Sequence, residues 1–165
     1  KIFPEAHFVY LHRDPRQTLS SMLEAWQSGR FRTYPQLQGW DGLPWSLLLV
    51  PGWRELSGRP LPEIVAAQWE TTTRILLDDL DALPADRRHV VGYDAFLADP
   101  ATEVARLCEA LGLERDRPLA AELPLSRFTV SAPAPDKWRR HADLIEPMLP
   151  GLRATIDRAE RFARG

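Results

Sequence analysis

An arginine that could bind an anion lies near the amino-terminal end of the chain, with a serine two helical turns further along. Arg13 follows the apolar run HFVYLH, and Ser21 comes eight residues later. A guanidinium presents forked N–H donors that match a phosphate, and a serine hydroxyl adds one more donor. Arg13 therefore favours a site for a phosphate or a similar oxyanion, and an ordinary salt bridge at the strand end is the alternative; Ser21 taken alone is a solvated helix residue.

The residues around Arg13 predict a strand followed by a helix. The run from His7 to His12 is short and β-rich, which is typical of a strand buried on both faces of a parallel sheet. Asp14 is a good N-cap, Pro15 suits the first helical position, and Gln17 completes a D-x-x-Q capping box. Ligands of open parallel sheets bind at the carboxyl ends of the strands, so Arg13 is well placed beside a helix N-terminus.

A second predicted strand brings a tyrosine to the same edge. The sequence RHVVGY, from Arg88 to Tyr93, predicts another buried strand, and Asp99 with Pro100 opens a capped helix that reaches Leu111. Strands that alternate with helices favour a parallel sheet. Tyr93 should then lie near Arg13; the alternative is an ordinary strand-end aromatic with a packed ring.

The rest of the chain predicts long helices and one long loop. An apolar period near 3.6 predicts helices from Pro62 to Leu83 and from Pro150 to Ala163. The segment from Arg30 to Pro60 is rich in Gly, Pro and Trp, which predicts a loop with one helical turn over residues 45–49. Packing is the expected role of its tryptophans, and stacking on a sugar or lipid acceptor is the alternative; they are Trp40, Trp45 and Trp53.

Composition and charge narrow the class of protein. A chain of 165 residues with 44% hydrophobic and 27% charged residues fits one globular domain. The net charge of -2 provides no general attraction to nucleic acid, and no run approaches the roughly eighteen apolar residues of a membrane span. The single cysteine, Cys108, is expected to be a buried structural thiol in a reducing compartment, here the cytoplasm.

The histidines predict neither a metal site nor a catalytic base. His12 neighbours Arg13, but strand alternation points its side chain the opposite way, so a structural histidine is expected. His7, His89 and His141 lack the spacing of metal ligands, and one cysteine excludes the usual zinc patterns. The catalytic residues stay unassigned.

Three segments resemble parts of the sulfotransferases that use 3′-phosphoadenosine 5′-phosphosulfate (PAPS). YLHRDPRQTLSS resembles the family's 3′-phosphate-binding segment, in which a strand delivers an arginine, a turn containing proline follows, and a serine comes eight residues after the arginine. VVGYDAFLADPATEVARLCEALGL is similar to the family's strand, tyrosine, acidic residue and capped helix. SAPAPDKWRRH is similar to the C-terminal basic segment of its bacterial branch.

This resemblance implies a fold, a nucleotide and a set of ligands. The fold would be α/β, a P-loop-NTPase-like parallel sheet flanked by helices, helix-rich and incomplete at the N-terminal side. Arg13 and Ser21 would bind the 3′-phosphate of PAPS or of its product PAP, and Tyr93 would lie near the adenine and sugar. Lys137 and Arg139 would close over the phosphates; a solvated basic turn is the alternative. The acceptor would be a small molecule, carbohydrate, lipid or peptide with a hydroxyl or amine.

The sequence departs from the family in one respect. The family's loop like GxPRSGTT, which holds the 5′-phosphosulfate and stabilises the leaving oxygen, does not occur here. Because the chain also begins with Lys1 and not Met, we expect residues 1–165 to be one domain from a longer protein, inactive without an N-terminal remainder. Two other hypotheses are a truncated nucleotide-binding or interaction module without catalysis and a phosphoryl-transferring P-loop relative.

Overall fold

The computed structural model describes Phe3, residues 5–119 and residues 123–165. Four strands and six α-helices are present in these ranges. In chain order they are β1 (Phe8–His12), α1 (Pro15–Ser28), β2 (Arg32–Tyr34), β3 (Trp45–Ser46), α2 (Leu61–Asp81), β4 (Arg88–Gly92), α3 (Tyr93–Ala98), α4 (Pro100–Ala110), α5 (Ala142–Ile145) and α6 (Leu149–Arg164). Short 3₁₀ helices cover Trp53–Leu56, Ala85–Arg87, Lys137–His141 and Glu146–Met148.

The fold is a helix-rich α/β arrangement with a small parallel sheet, as predicted at that level. Strands β1 and β4 pair in parallel, with Phe8 opposite Arg88 and His12 opposite Gly92. The residues that directly follow the two strands, Arg13 and Tyr93, therefore lie at the same carboxyl edge of the sheet. The finer expectation of a P-loop-NTPase-like sheet stays a prediction.

Strand β1 is more exposed than the sequence predicts. Phe8, Val9 and Leu11 retain 45%, 47% and 51% of their accessible surface, whereas Val91 on β4 retains 5%. Within the described ranges β1 pairs with β4 alone, so it lacks the second neighbour that covers a central strand of a larger parallel sheet. The expectation of burial on both faces is wrong for β1.

Local signals place both ends of α1 correctly. The Asp14 carboxylate accepts hydrogen bonds from the amides of Arg16 at 2.8 Å and Gln17 at 3.2 Å. Gly29 ends the helix in the left-handed conformation, with φ of 62°, which glycine adopts without a Cβ clash. The Gln17 side chain does not complete a capping box, because it contacts Arg13 and Asp94 instead.

The predicted helical turn over residues 45–49 is wrong. Trp45–Ser46 forms strand β3, antiparallel to β2, and Leu47 has φ of 64°, which a right-handed helix does not accommodate. The buried amide of Gln68 on α2 donates to the carbonyls of Ser46 at 3.0 Å and Leu48 at 2.5 Å. These partners satisfy the extended backbone, so a contact distant in sequence determines its conformation.

Tryptophans from α1 and from the long loop form an aromatic cluster in the core. Trp45 is fully buried, Trp26 and Trp53 are nearly so, and the rings of Trp40 and Trp45 meet edge to face with centres 4.8 Å apart. Trp26 also donates its indole N–H to Gln68 at 3.0 Å. The expected packing role of the loop tryptophans is confirmed.

The C-terminal helix α6 packs along α2. Arg158 on α6 donates to Asp78 at 2.5 Å and Asp81 at 2.7 Å, and Thr155 donates to Glu70 at 3.2 Å. The predicted ends of α2 and α6 agree with the structure to within two residues. Neither these helices nor any other in the described part of the chain is long and apolar enough to cross a membrane.

Candidate functional site

Arg13 lies just beyond β1, where three residues from α1 and α3 hold its guanidinium. Its Nη1 donates to Ser21 Oγ at 3.0 Å, and its Nε donates to Gln17 Oε1 at 3.3 Å. The guanidinium carbon lies 4.5 Å from the centre of the Tyr93 ring, within the range of a cation–π contact. The structure thus brings Arg13, Ser21 and Tyr93 together.

Helix geometry explains why Gln17 joins this group. Arg13, Gln17 and Ser21 are spaced four residues apart, so the two helical side chains lie on one stripe of α1 that faces the strand end. Gln17 is buried, and its amide also donates to Asp94 on α3 at 3.4 Å. The cap pattern predicts only a helix-capping role for Gln17, although its position midway between Arg13 and Ser21 is a signal for this contact.

One cavity of about 390 Å³ contains most of the predicted site. Arg13, Ser21, Tyr93 and Lys137 all line it. Its volume lies in the range of small-molecule sites. Apolar side chains form much of the remaining wall; they include Phe31, Phe96, Leu97, Phe128 and Val130. Such a lining suits a ligand with both an anionic group and an apolar or aromatic ring.

A second cavity shares two of these residues. It measures about 460 Å³ and is also lined by Arg13 and Tyr93. The other walls come from β1, α1, the loop after β3, α2 and α6, and they include Leu11, Met22, Leu48 and Trp69. Arg13 and Tyr93 therefore contribute to both cavities.

Lys137 belongs to a charged cluster in the wall of the smaller cavity. Its Nζ lies 3.0 Å from Glu24 Oε2 and donates to the Ser131 carbonyl at 2.9 Å. Arg140 forms an ion pair with Glu24 Oε1 and donates to Ser131 Oγ at 2.9 Å. Burial opposes ionisation of Glu24, but hydrogen bonds from Ser131 and Lys137 and the nearby positive charges lower its pKa. The carboxylate is therefore charged at neutral pH.

Arg139 occupies a different position from Lys137. Its Nε donates to Asp136 at 3.0 Å, its guanidinium lies 5.3 Å from the Trp138 ring, and its side chain is 68% exposed. Arg139 is not part of the described wall of the smaller cavity. Its predicted contact with a phosphate stays a prediction.

His12 lies away from the Arg13 cavities, as strand alternation indicates. It lines a separate cavity together with Glu103 and Arg106. Its Nε2 is buried without a hydrogen-bond partner in the described ranges, and burial lowers the pKa of the ring.

Cys108 is only partly buried, although the sequence predicts a buried thiol. Among the residues with described coordinates, no group of three or more His, Cys, Asp and Glu side chains is arranged to hold a metal ion.

Comparison with known protein families identifies a related family. A family model described as "Sulfotransferase family" matches residues 1–117. No curated protein and no solved structure matches the chain. The matched range includes Arg13, Ser21 and Tyr93 and ends before Lys137 and Arg139.

Proposed function

The chain belongs to the sulfotransferase family, and we propose that it binds PAPS and PAP, with Arg13 and Ser21 as ligands of the 3′-phosphate. Sulfotransferases move a sulfuryl group from a donor to an acceptor. In the proposed reaction the acceptor is a hydroxyl or amine; its oxygen or nitrogen forms a bond to sulfur, the bond from sulfur to the phosphate oxygen breaks, and PAP leaves. The acceptor proton passes to a base that we do not assign.

The observation that carries this proposal is the convergence of Arg13 and Ser21 on one cavity. Two of the five N–H donors of the Arg13 guanidinium bind Gln17 and Ser21. The other three have no acceptor among the described side chains and backbone, and Arg13 forms no ion pair there. A cation that is oriented but not neutralised is well suited to bind an oxyanion.

The aromatic lining supports a nucleoside beside the phosphate. Tyr93 contacts Arg13 through its ring and lines the same cavity as Phe96 and Phe128. Aromatic rings stack on purine bases, and each such contact contributes about 1 to 3 kcal/mol. We propose that Tyr93 contacts the adenosine of the nucleotide.

Lys137 and Arg139 are proposed to bind the phosphates from the C-terminal segment. Lys137 already lines the cavity, with 13% of its side chain exposed. Arg139 would exchange its ion pair with Asp136 for the ligand. That pair is exposed, and exposed pairs are worth about 1 kcal/mol or less, so the exchange costs little.

A small molecule, carbohydrate, lipid or peptide with a free hydroxyl or amine is the proposed class of acceptor, and the cytoplasm is the proposed location. A loop like GxPRSGTT is absent from the sequence, so contacts to the 5′-phosphosulfate form no part of the proposed site.

Calorimetric titration with PAP and AMP tests the proposed function. The two nucleotides differ only in the 3′-phosphate, so we expect PAP to bind at least about tenfold more tightly, as a charge-assisted contact requires. Equal affinities would contradict the assigned phosphate site. Preferential binding of ATP with Mg²⁺ over PAP would point to a phosphoryl-transferring relative instead.

A further inference from the structure

Helix α1 carries a second polar stripe beside the one that contacts Arg13. Arg16, Ser20 and Glu24 are spaced four residues apart, so they share one face of the helix. Each lies three positions after a residue of the first stripe, which places the two stripes side by side. The first stripe faces the proposed phosphate, and the second faces another part of the chain.

The second stripe contacts the 3₁₀ helix Lys137–His141, which we call the basic turn. The Arg16 guanidinium lies 4.9 Å from the centre of the Trp138 ring. Ser20 Oγ lies 2.9 Å from His141 Nδ1, within hydrogen-bond distance. Glu24 forms ion pairs with both Lys137 and Arg140. All three residues of the stripe therefore hold the basic turn against α1.

The Glu24–Lys137 contact and Ser20 are largely removed from solvent, whereas the side chains of Arg16 and Arg140 are 46% and 45% exposed. Ser20 is 2% exposed, Glu24 9% and Trp138 7%. A buried carboxylate with two cationic partners leaves uncompensated charges when it is removed, so contacts of this kind determine where the partners lie. Lys137 reaches the cavity wall from the basic turn, and Glu24 is the residue of the stripe that binds its ammonium group.

The position of Glu24 is unexpected for an anion site. Its side chain lines the same cavity as Arg13. Considered alone, a carboxylate in that wall repels a phosphate, so its removal should strengthen binding. Its ion pair with Lys137 has the opposite effect, because it holds a cation beside the cavity that would otherwise extend into water.

We propose that Glu24 is a positioning residue of the nucleotide site, whose carboxylate docks the basic turn on α1 and holds Lys137 in the cavity wall. This inference rests on the proposed function. The positioning effect exceeds the direct repulsion, because without Glu24 both Lys137 and Arg140 lose their partner and the wall that carries them loses its attachment. Neutralising Glu24 therefore weakens the binding of PAP.

The test compares Glu24→Gln with a matched control at Glu63. Glu63 undergoes the same chemical change on the exposed face of α2, where it pairs with Arg59 at 3.6 Å. We expect Glu24→Gln to raise the Kd for PAP about tenfold, which is the scale of one charge-assisted contact, and to raise that for AMP much less. Glu63→Gln should change neither. Tighter or unchanged binding of PAP by Glu24→Gln would overturn the proposal.

A double-mutant cycle with Lys137→Met separates positioning from a general loss of structure. If Glu24 acts through Lys137, the effect of Glu24→Gln on PAP binding shrinks or changes sign in the Lys137→Met background, because the variant then removes the repulsion and the Arg140 ion pair but no longer displaces Lys137. An equal loss in both backgrounds would contradict action through Lys137. Glu24→Asp should recover part of the affinity, since it restores the charge.

Hydrogen exchange provides a readout that does not depend on the nucleotide. In Glu24→Gln we expect amide exchange in the basic turn to accelerate about tenfold or more, while exchange in α2 and α6 stays unchanged. Unchanged exchange in the basic turn would overturn the docking role. Failure of the unmodified chain to bind PAP would instead contradict the proposed function, and the exchange data would still decide whether Glu24 docks the turn. If Glu24→Gln does not fold, the same measurements on Lys137→Gln, which breaks the pair from the other side, replace it.

Discussion

The guanidinium of Arg13 lies 4.5 Å from the centre of the Tyr93 ring. The parallel register of β1 and β4 produces this contact, because His12 lies opposite Gly92 and the next residue of each strand reaches the same edge. The ring covers one face of the guanidinium, while Gln17 and Ser21 bind its N–H groups. Arg13 is thus oriented toward the cavity before any ligand arrives, which lowers the entropic cost of binding.

Replacement of Arg13 tests its role as the phosphate ligand. Arg13→Ala should weaken PAP binding by about 1.5 to 3 kcal/mol, because one charge-assisted contact is lost. Arg153→Ala is a suitable control, since that side chain is 75% exposed on α6 and pairs with Asp157. Calorimetric titration with PAP measures the affinity of each variant and of the natural chain. An unchanged affinity in a folded Arg13→Ala protein would refute the assigned role.

Ser21 and Arg13 should act as a coupled pair. Ser21→Ala is expected to weaken PAP binding by about 0.5 to 1.5 kcal/mol in the natural chain, the usual contribution of a neutral hydrogen bond. In the Arg13→Ala background the loss should be smaller, because the Ser21 hydroxyl binds the Arg13 guanidinium at 3.0 Å. Strictly additive losses would show that the two side chains bind the nucleotide independently.

The ring of Tyr93, and not its hydroxyl, should matter for nucleotide binding. Tyr93→Phe retains a face for Arg13 and for a base, so the Kd for PAP should stay close to that of the natural chain. Tyr93→Leu should weaken binding by about 0.5 to 2 kcal/mol through loss of the cation–π contact. If the phenylalanine variant binds as weakly as the leucine variant, the hydroxyl is the contact that counts.

Gln68 should be required for stability. Its side chain is 1% exposed and bonds to Trp26, Ser46 and Leu48. Gln68→Leu leaves these buried groups without partners and should lower the free energy of unfolding by about 2 to 4 kcal/mol. Urea denaturation measures this value. The exposed Gln27 on α1 provides the control, because Gln27→Leu should change it by no more than about 0.5 kcal/mol.

Mild acid should destabilise the fold through His141. Burial and then the charge of Arg140 lower the pKa of this ring below its usual value of about 6.5, although nearby carboxylates oppose the shift. The unfolded chain therefore binds a proton more readily than the folded chain, and the free energy of unfolding decreases as the pH falls through about 6.5 toward the folded pKa. The negative charges of Glu24 and Asp143 raise the pKa of His141, and the positive charge of Lys137 lowers it further.

Burial also lowers the pKa of His12, so this residue contributes with the same sign. Urea denaturation between pH 8 and 5, a range of about three units around the usual histidine pKa, measures the combined effect. His141→Asn and His12→Asn should each flatten the pH dependence. A stability that does not change or rises on acidification would contradict both assignments. The other charges that act on His12 are Glu160, Asp14, Arg164 and Asp94.

Local sequence signals predicted the helices well. Asp14 caps the N-terminus of α1, and Gly29 caps its C-terminus. At the start of α4, Asp99 accepts a hydrogen bond from the Thr102 amide at 3.1 Å. Caps and apolar periodicity act within a few residues of the chain, so their effect can be inferred without knowledge of the fold. Segments held by distant partners could not be inferred in the same way, and β3 depends on Gln68.

The sequence by itself determined that Gln17 and Ser21 share one face of α1, because four-residue spacing on a helix fixes a common face. That this face meets Arg13 at the strand end was decided by the tertiary structure. Only the tertiary structure decided which basic residue reaches the cavity. Lys137 and Arg139 are two positions apart in the basic turn, and the carboxylate of Glu24 binds the first while Asp136 binds the second. Ion pairs form where folding brings opposite charges within a few ångströms, and composition and spacing do not specify that distance.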